Sequence, residues 1–65
     1  MAYLNSSAIR RVEYDAQTRV MQIWFTQGGH PYNFCGVPQG IYEGLVSASS
    51  AGTYYDLHIR DRYQC

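Results

Sequence analysis

Val20-Met21-Gln22-Ile23-Trp24-Phe25-Thr26-Gln27-Gly28-Gly29-His30-Pro31-Tyr32-Asn33-Phe34 is the stretch that decides the fold. Met21, Ile23 and Phe25 alternate with Gln22, Trp24 and Thr26, which is the two-residue period of a strand with one buried face. Gly28-Gly29 supplies two residues free to take positive φ, and Tyr32-Asn33-Phe34 then resumes the alternation. The pattern predicts a β-hairpin with the two glycines as its turn. In that register Phe25 faces Tyr32 and Ile23 faces Phe34, so pairing alone assembles one aromatic-rich face. Gln22 and Trp24 share the opposite face with Asn33 and Cys35.

Upstream, Ile9 to Tyr14 reads as the preceding strand, and Asp15-Ala16-Gln17-Thr18 has turn chemistry, with the Asp15 carboxylate able to bond the backbone two residues on. An even-numbered loop keeps parity, placing Val12 and Tyr14 on the face of Met21 and Ile23. Arg11 and Glu13 then lie outside with Gln22 and Trp24, and a bulge near Ile9 or Arg10 would shift the start of the strand. Residues 1–7 lack periodicity and are expected to form a flexible N-terminus, leaving 8–63 as a single domain.

Downstream, Gly36-Val37-Pro38 breaks the sheet, and Pro38 suits a first helical position. A helix from Pro38 to about Ser47 follows, with Ile41, Leu45 and Ala48 as its apolar stripe, widened by Tyr42 and Val46. Gly40 and Gly44 each cost this helix about 1 kcal/mol relative to Ala, so it depends on packing. Ser49 or Ser50 caps a second helix, from Ala51 or Gly52 to His58, which turns Tyr54 or Tyr55 and Ile59 inward. The order β-β-β-α-α predicts an α+β domain: a three-stranded antiparallel meander followed by two short helices packed on one face.

With 65 residues there is room for one small core, so self-association or a partner could add to its stability. The chain is expected to be a monomer or a weak homodimer. Formal net charge is zero, with five basic residues, all Arg, against five acids. That balance argues against strong non-specific polyanion binding and leaves room for a local basic patch. Cys35 and Cys65 are too few and too far apart for the disulfide framework of a secreted mini-protein, and reduced thiols are expected. The longest apolar run is too short to cross a bilayer, and Met1 to Asn5 lacks the pattern of a signal peptide. A soluble, cytoplasmic protein with no membrane association is the expectation.

Ser7-Ala8-Ile9, Val12, Tyr14-Asp15, Val20 to Phe25, Gly29, Tyr32-Asn33-Phe34 and Val37-Pro38 together resemble the KTSC domain. Ile41-Tyr42, Leu45, Ala48, Ser50-Ala51-Gly52, Tyr54-Tyr55, Ile59-Arg60 and Tyr63 continue the likeness, which runs from about Ser6 to Tyr63. The family is named for a domain at the C-terminus of some lysyl-tRNA synthetases and also occurs as stand-alone bacterial and phage proteins. Its aromatic-x-aromatic motif falls on Tyr32 and Phe34, with Gly52, Ile59 and Arg60 as further motif positions of structural character. Phe34 stands where Tyr is usual, and Asp56 where Asn is expected. The resemblance implies a suggested RNA-binding role, against which acidic Asp56 and the lack of Lys both weigh.

Two clusters are candidate contacts. Trp24 beside Arg11 and Asn33 could stack a base and touch phosphate or anchor a protein; alternatively Tyr3-Leu4 folds back over the indole. Arg60, Arg62 and Tyr63 form the second cluster, with Arg10 expected nearby, for phosphate and base contact; within it Arg60 is expected to pair with Asp56 four residues earlier or to cap the last helical carbonyls, and Arg62 to make the contact. Tyr32 and Phe34 are expected in the core, with the Tyr32 hydroxyl able to reach a rim. His30, His58, Cys35 and Cys65 lack the spacing of a zinc site, and no nucleophile has a base beside it. Neither a metal nor a cofactor is expected, nor an enzyme. The favoured reading is a binding module for RNA or another nucleic acid, with about three phosphates neutralised and a salt slope near −2 to −3. The alternative is a protein-interaction module docking on a larger machine such as RNA polymerase.

Overall fold

The computed structural model describes residues 2–3, for which only the backbone is considered, and 7–65. Its elements are β1 (Ala2–Tyr3), β2 (Ile9–Asp15), β3 (Val20–Phe25), β4 (Tyr32–Phe34), α1 (Gln39–Ser47) and α2 (Ala51–His58). The antiparallel sheet has the order β1-β2-β3-β4. The meander of β2, β3 and β4 followed by two helices is therefore the expected α+β domain. The added edge strand comes from the segment expected to be flexible: Ala2 pairs with Val12 and Tyr3 with Arg11. Met1 and Leu4 to Ser6 lie outside the described residues, as does the proposed cover of Trp24 by Tyr3-Leu4.

Asp15 makes the β2–β3 connection in the way its side chain dictates. Its carboxylate accepts from the Gln17 amide at 2.9 Å, and its carbonyl accepts from the Arg19 amide at 2.7 Å. Arg19 turns the chain with φ at 60°. Val12 then faces Ile23 and Tyr14 faces Met21, with a register shift between Ile9 and Arg11. This bulge explains a spacing that simple alternation forbids. Ile9 and Val12 are three apart, yet both are fully buried, because the extra residue, Arg10, is absorbed without pairing.

The β3–β4 connection differs from expectation. Ile23 faces Tyr32 and Met21 faces Phe34, so the pairing is offset by two residues from a tight glycine turn. The Gly28 amide donates to the Phe25 carbonyl at 3.1 Å, closing a turn earlier, and Pro31 has no N–H to extend the ladder. Among the described residues Gly36, at φ 68°, is the glycine with positive φ; the twin glycines do not form the mirror-image turn. An even offset preserves parity, so the faces are as expected although the partners are not.

Pro38 is the extended residue just before α1 rather than its first helical position, and its carbonyl accepts from the Ile41 amide at 3.0 Å. Leu45 from α1 and Ala51 from α2 join Ile9, Val12, Met21, Ile23, Phe34, Val37 and Ile59 in the core. Tyr42 stacks on Tyr14 with ring centroids 4.8 Å apart, while the Tyr14 hydroxyl donates to the Val37 carbonyl at 2.6 Å. Ser50 caps α2, its hydroxyl accepting from the Thr53 amide at 3.3 Å. Gly52 lets the first turn of α2 approach Ala8, whose β-carbon would be 3.1 Å from one at position 52.

The expectation of reduced thiols is corrected by a Cys35–Cys65 disulfide with α-carbons 4.9 Å apart. After α2 the chain reverses through Asp61, at φ 61°, and runs along the outer edge of β4. There the Cys35 amide donates to the Tyr63 carbonyl at 2.9 Å, and Phe34 bridges to Gln64. The cysteines are 30 residues apart in sequence, but the two helices return the chain to β4, so sequence spacing misleads.

Candidate binding face

Parity assigns the two faces of the sheet. Val12, Met21, Ile23 and Phe34 point into the core with Leu45 of α1, so Arg11, Glu13, Gln22, Trp24 and Asn33 occupy the face turned away from the helices. Two cross-strand rows build that face. Arg11 faces Trp24 in one, and in the other Glu13 faces Gln22, which in turn faces Asn33.

Each row is held by a specific contact. The Arg11 guanidinium lies over the Trp24 ring, 4.5 Å from its centroid, the geometry in which the aromatic quadrupole attracts a cation. The same guanidinium forms an ion pair with Glu13. In the second row the Gln22 amide donates to the Asn33 side-chain oxygen at 3.1 Å. Arg10 is exposed at the bulge beside this face, and among the described residues it has no ion pair. Glu13, through its ion pair with Arg11, belongs to this face and was not among the expected contacts, although its position two residues from Arg11 on one face was the available signal.

The remaining candidates do not join this cluster, and Arg10, expected near Arg62 and Tyr63, lies on β2 with β3 and β4 between it and them. Arg62 is exposed and Tyr63 half-buried in the segment beyond β4, three strand spacings of about 4.8 Å from β2, or about 14 Å. Arg60 pairs with Asp56 at 3.7 Å and approaches Asp61 at 4.0 Å, in keeping with its expected structural role. Phe34 is core, but Tyr32 is 53% exposed, which corrects its expected burial. The offset register sets it at the end of the sheet, where its ring meets the Phe25 edge at 5.5 Å and lies 5.7 Å from His30.

Tyr32 thereby forms one wall of a second feature that the sequence reading did not assemble. A shallow cleft of about 400 Å³ is lined by Phe25, Gln27, Gly28, Tyr32 and Tyr55. Burial raises the Tyr55 phenol above its ordinary value of 10.0, partly offset by the Arg60 guanidinium. Among the described residues no three His, Cys, Asp or Glu side chains gather as a metal site, and no helix is long and apolar enough to cross a membrane.

The KTSC domain family model matches residues 5–63. The chain belongs to the KTSC domain family. This KTSC domain is 30% identical to a protein of Tsukamurella paurometabola, over 98% of the chain and 94% of that protein. It also superposes on the crystal structure of a KTSC domain protein from Yersinia pestis with a TM-score of 0.91 and 30% identity, covering 98% of this chain and 89% of that one. In this KTSC domain Phe34 and Ile59 are core, Gly52 lets α2 approach Ala8, and Tyr32 is half in solvent.

Proposed function

We propose that this KTSC domain is a small, cytoplasmic, non-enzymatic binding module that takes single-stranded RNA, or another single-stranded nucleic acid, on the sheet face turned away from the helices. The observation that carries the reading is the Arg11 guanidinium lying over the Trp24 ring on this face, with Arg10 exposed at the adjacent bulge of β2. An indole stacks a base of any sequence, worth about 1–3 kcal/mol per base, and guanidinium groups take phosphate. Gln22 and Asn33 add amide groups able to meet a base edge. Arg62 and Tyr63 would contribute only through a strand long enough to cross the sheet.

A protein partner is the second reading, favoured by one observation: the Arg11 charge is already met by Glu13. Titration of a labelled oligouridine at several salt concentrations separates the two. Neutralisation of two phosphates on a single strand predicts a slope of about −1.4 in log affinity against log salt, steepening toward −2 if Arg62 joins. No binding, or binding with a slope near zero, rejects the RNA reading. Loss of a protein complex on Trp24→Ala, with folding unchanged, supports the second.

A further inference from the structure

The disulfide joins two edges rather than two halves of the core. Among the described residues every fully buried side chain lies between Ile9 and Ile59. Beyond Ile59, Arg60 and Arg62 bond back to Tyr55, Asp56 and Ile59, and the chain then meets β4 and the core through the half-buried Tyr63 ring, the Cys35 amide to Tyr63 carbonyl bond and the Phe34–Gln64 bridge. Gln64 and Cys65 are themselves exposed. The sulfur bond is thus the one covalent tie holding a lightly packed segment along β4, a strand of only three residues.

We propose that Cys35–Cys65 is a redox latch. Closed, it holds residues 63–65 against the outer edge of β4; opened, it frees that edge and the Tyr63 ring, while residues 60–62 stay bonded to the end of α2 and the sheet and both helices stay folded. The chemistry is thiol–disulfide exchange with a dithiol reductant. One thiolate of the reductant attacks the sulfur of Cys65, the more exposed partner; a mixed disulfide forms and Cys35 leaves as a thiolate. The second thiol of the reductant then displaces Cys65. Two electrons and two protons pass to the protein, giving two thiols, and the reductant closes into its own disulfide. Opening leaves the Cys35 N–H without the Tyr63 carbonyl and removes the bridge at Phe34. Protein disulfides in a reducing cytosol are usually transient or redox-sensing, so a bond that can open without unfolding the domain suits the proposed location.

The test is amide hydrogen exchange on the intact chain, oxidised and after reduction with dithiothreitol, with Cys35→Ser/Cys65→Ser as the permanently open form. The expected result is a loss of protection at Cys35 at least tenfold greater than at Ile23 and Leu45, in the reduced protein and the variant alike, reversed on reoxidation. Two results overturn the proposal. Protection at Cys35 that survives reduction means the segment is docked without the bond. Loss of protection at Cys35, Ile23 and Leu45 to the same extent, including outright unfolding, means the bond is a staple of the whole fold.

Discussion

Gly44 of α1 faces the ring of Tyr54 of α2 so closely that a β-carbon at position 44 would overlap the phenol hydroxyl and its ring carbons. The glycine that looks like a defect in the helix is therefore what allows the two helices to meet. Gly44→Ala gains about 1 kcal/mol of helix propensity and incurs an overpacking cost of about 1–3 kcal/mol. We expect a net loss of about 1 kcal/mol in urea unfolding. In a Tyr54→Ala background the same substitution should become stabilising, because only the propensity gain remains. Gly40 has no neighbour within 4 Å of such a β-carbon, so Gly40→Ala should stabilise by up to about 1 kcal/mol. Equal effects at the two glycines would refute this account of the helix pair.

Ser50 ends the break between the helices and satisfies the Thr53 amide at the start of α2. Ser50→Ala should cost about 1 kcal/mol, the usual value for an N-cap hydroxyl, and Ser50→Asp should retain most of the stability. A Ser49→Ala variant serves as the reference, since among the described contacts the cap is made by Ser50 alone. Thermal or urea midpoints that rank Ser49→Ala below Ser50→Ala would contradict the assignment.

The fold was legible where one physical rule decided it. Alternation about Met21, Ile23 and Phe25, continued through Val12 and Tyr14, assigned both faces of the sheet, and parity survived an error of two residues in the β3–β4 register. That register was not legible, because twin glycines suggest a tight turn, whereas Pro31 and the Phe25–Gly28 bond favour a longer one. The disulfide was hidden for a different reason: pairing of Cys35 with Cys65 depends on where two helices return the chain, which no local pattern encodes. Of the candidate contacts, Arg11 and Trp24 were brought together as parity required, while Arg10 stayed on β2, at the bulge that the sequence allowed, instead of near the chain end. Arg62 and Tyr63 ended on the far edge. Glu13 was visible on the same face as Arg11, but the strength of its claim on the guanidinium depends on rotamers, which parity does not supply.

Tyr55 supplies a pH dependence of known sign. Desolvation holds its phenol above 10.0, against the opposing pull of Arg60, so the folded chain keeps this proton at pH values where the unfolded chain has lost it. Its contribution to stability is complete below about pH 10 and is lost as pH rises through the raised value. Tyr55→Phe should therefore flatten the alkaline fall in the urea midpoint, and Arg60→Gln, which removes the opposing pull, should deepen that fall and extend it to higher pH with the same onset. A Tyr55→Phe curve parallel to that of the parent protein above pH of about 10 would exclude Tyr55 as its source.

The Arg11 guanidinium lies between two competitors, the Trp24 ring at 4.5 Å and the carboxylate of Glu13. Side chains in the ion pair are 28% and 35% exposed, a setting in which such pairs contribute about 0–1 kcal/mol to stability. Glu13→Gln should thus barely change the folding midpoint. Its effect on binding should be larger, because the carboxylate both neutralises Arg11 and repels an approaching phosphate. For oligouridine we expect Glu13→Gln to raise affinity several-fold at low salt and to steepen the salt slope by about 0.7, the value for one further phosphate on a single strand. Trp24→Ala should weaken binding by about 1–3 kcal/mol at every salt concentration and leave the slope nearly unchanged, since it removes stacking rather than charge. Arg10→Gln should do the reverse, flattening the slope by about 0.7. These three signatures are separable within one titration series. If Glu13→Gln leaves both affinity and slope unaltered while Trp24→Ala still abolishes capture of a protein, the face takes a protein, and Glu13 is there to keep Arg11 neutral against it.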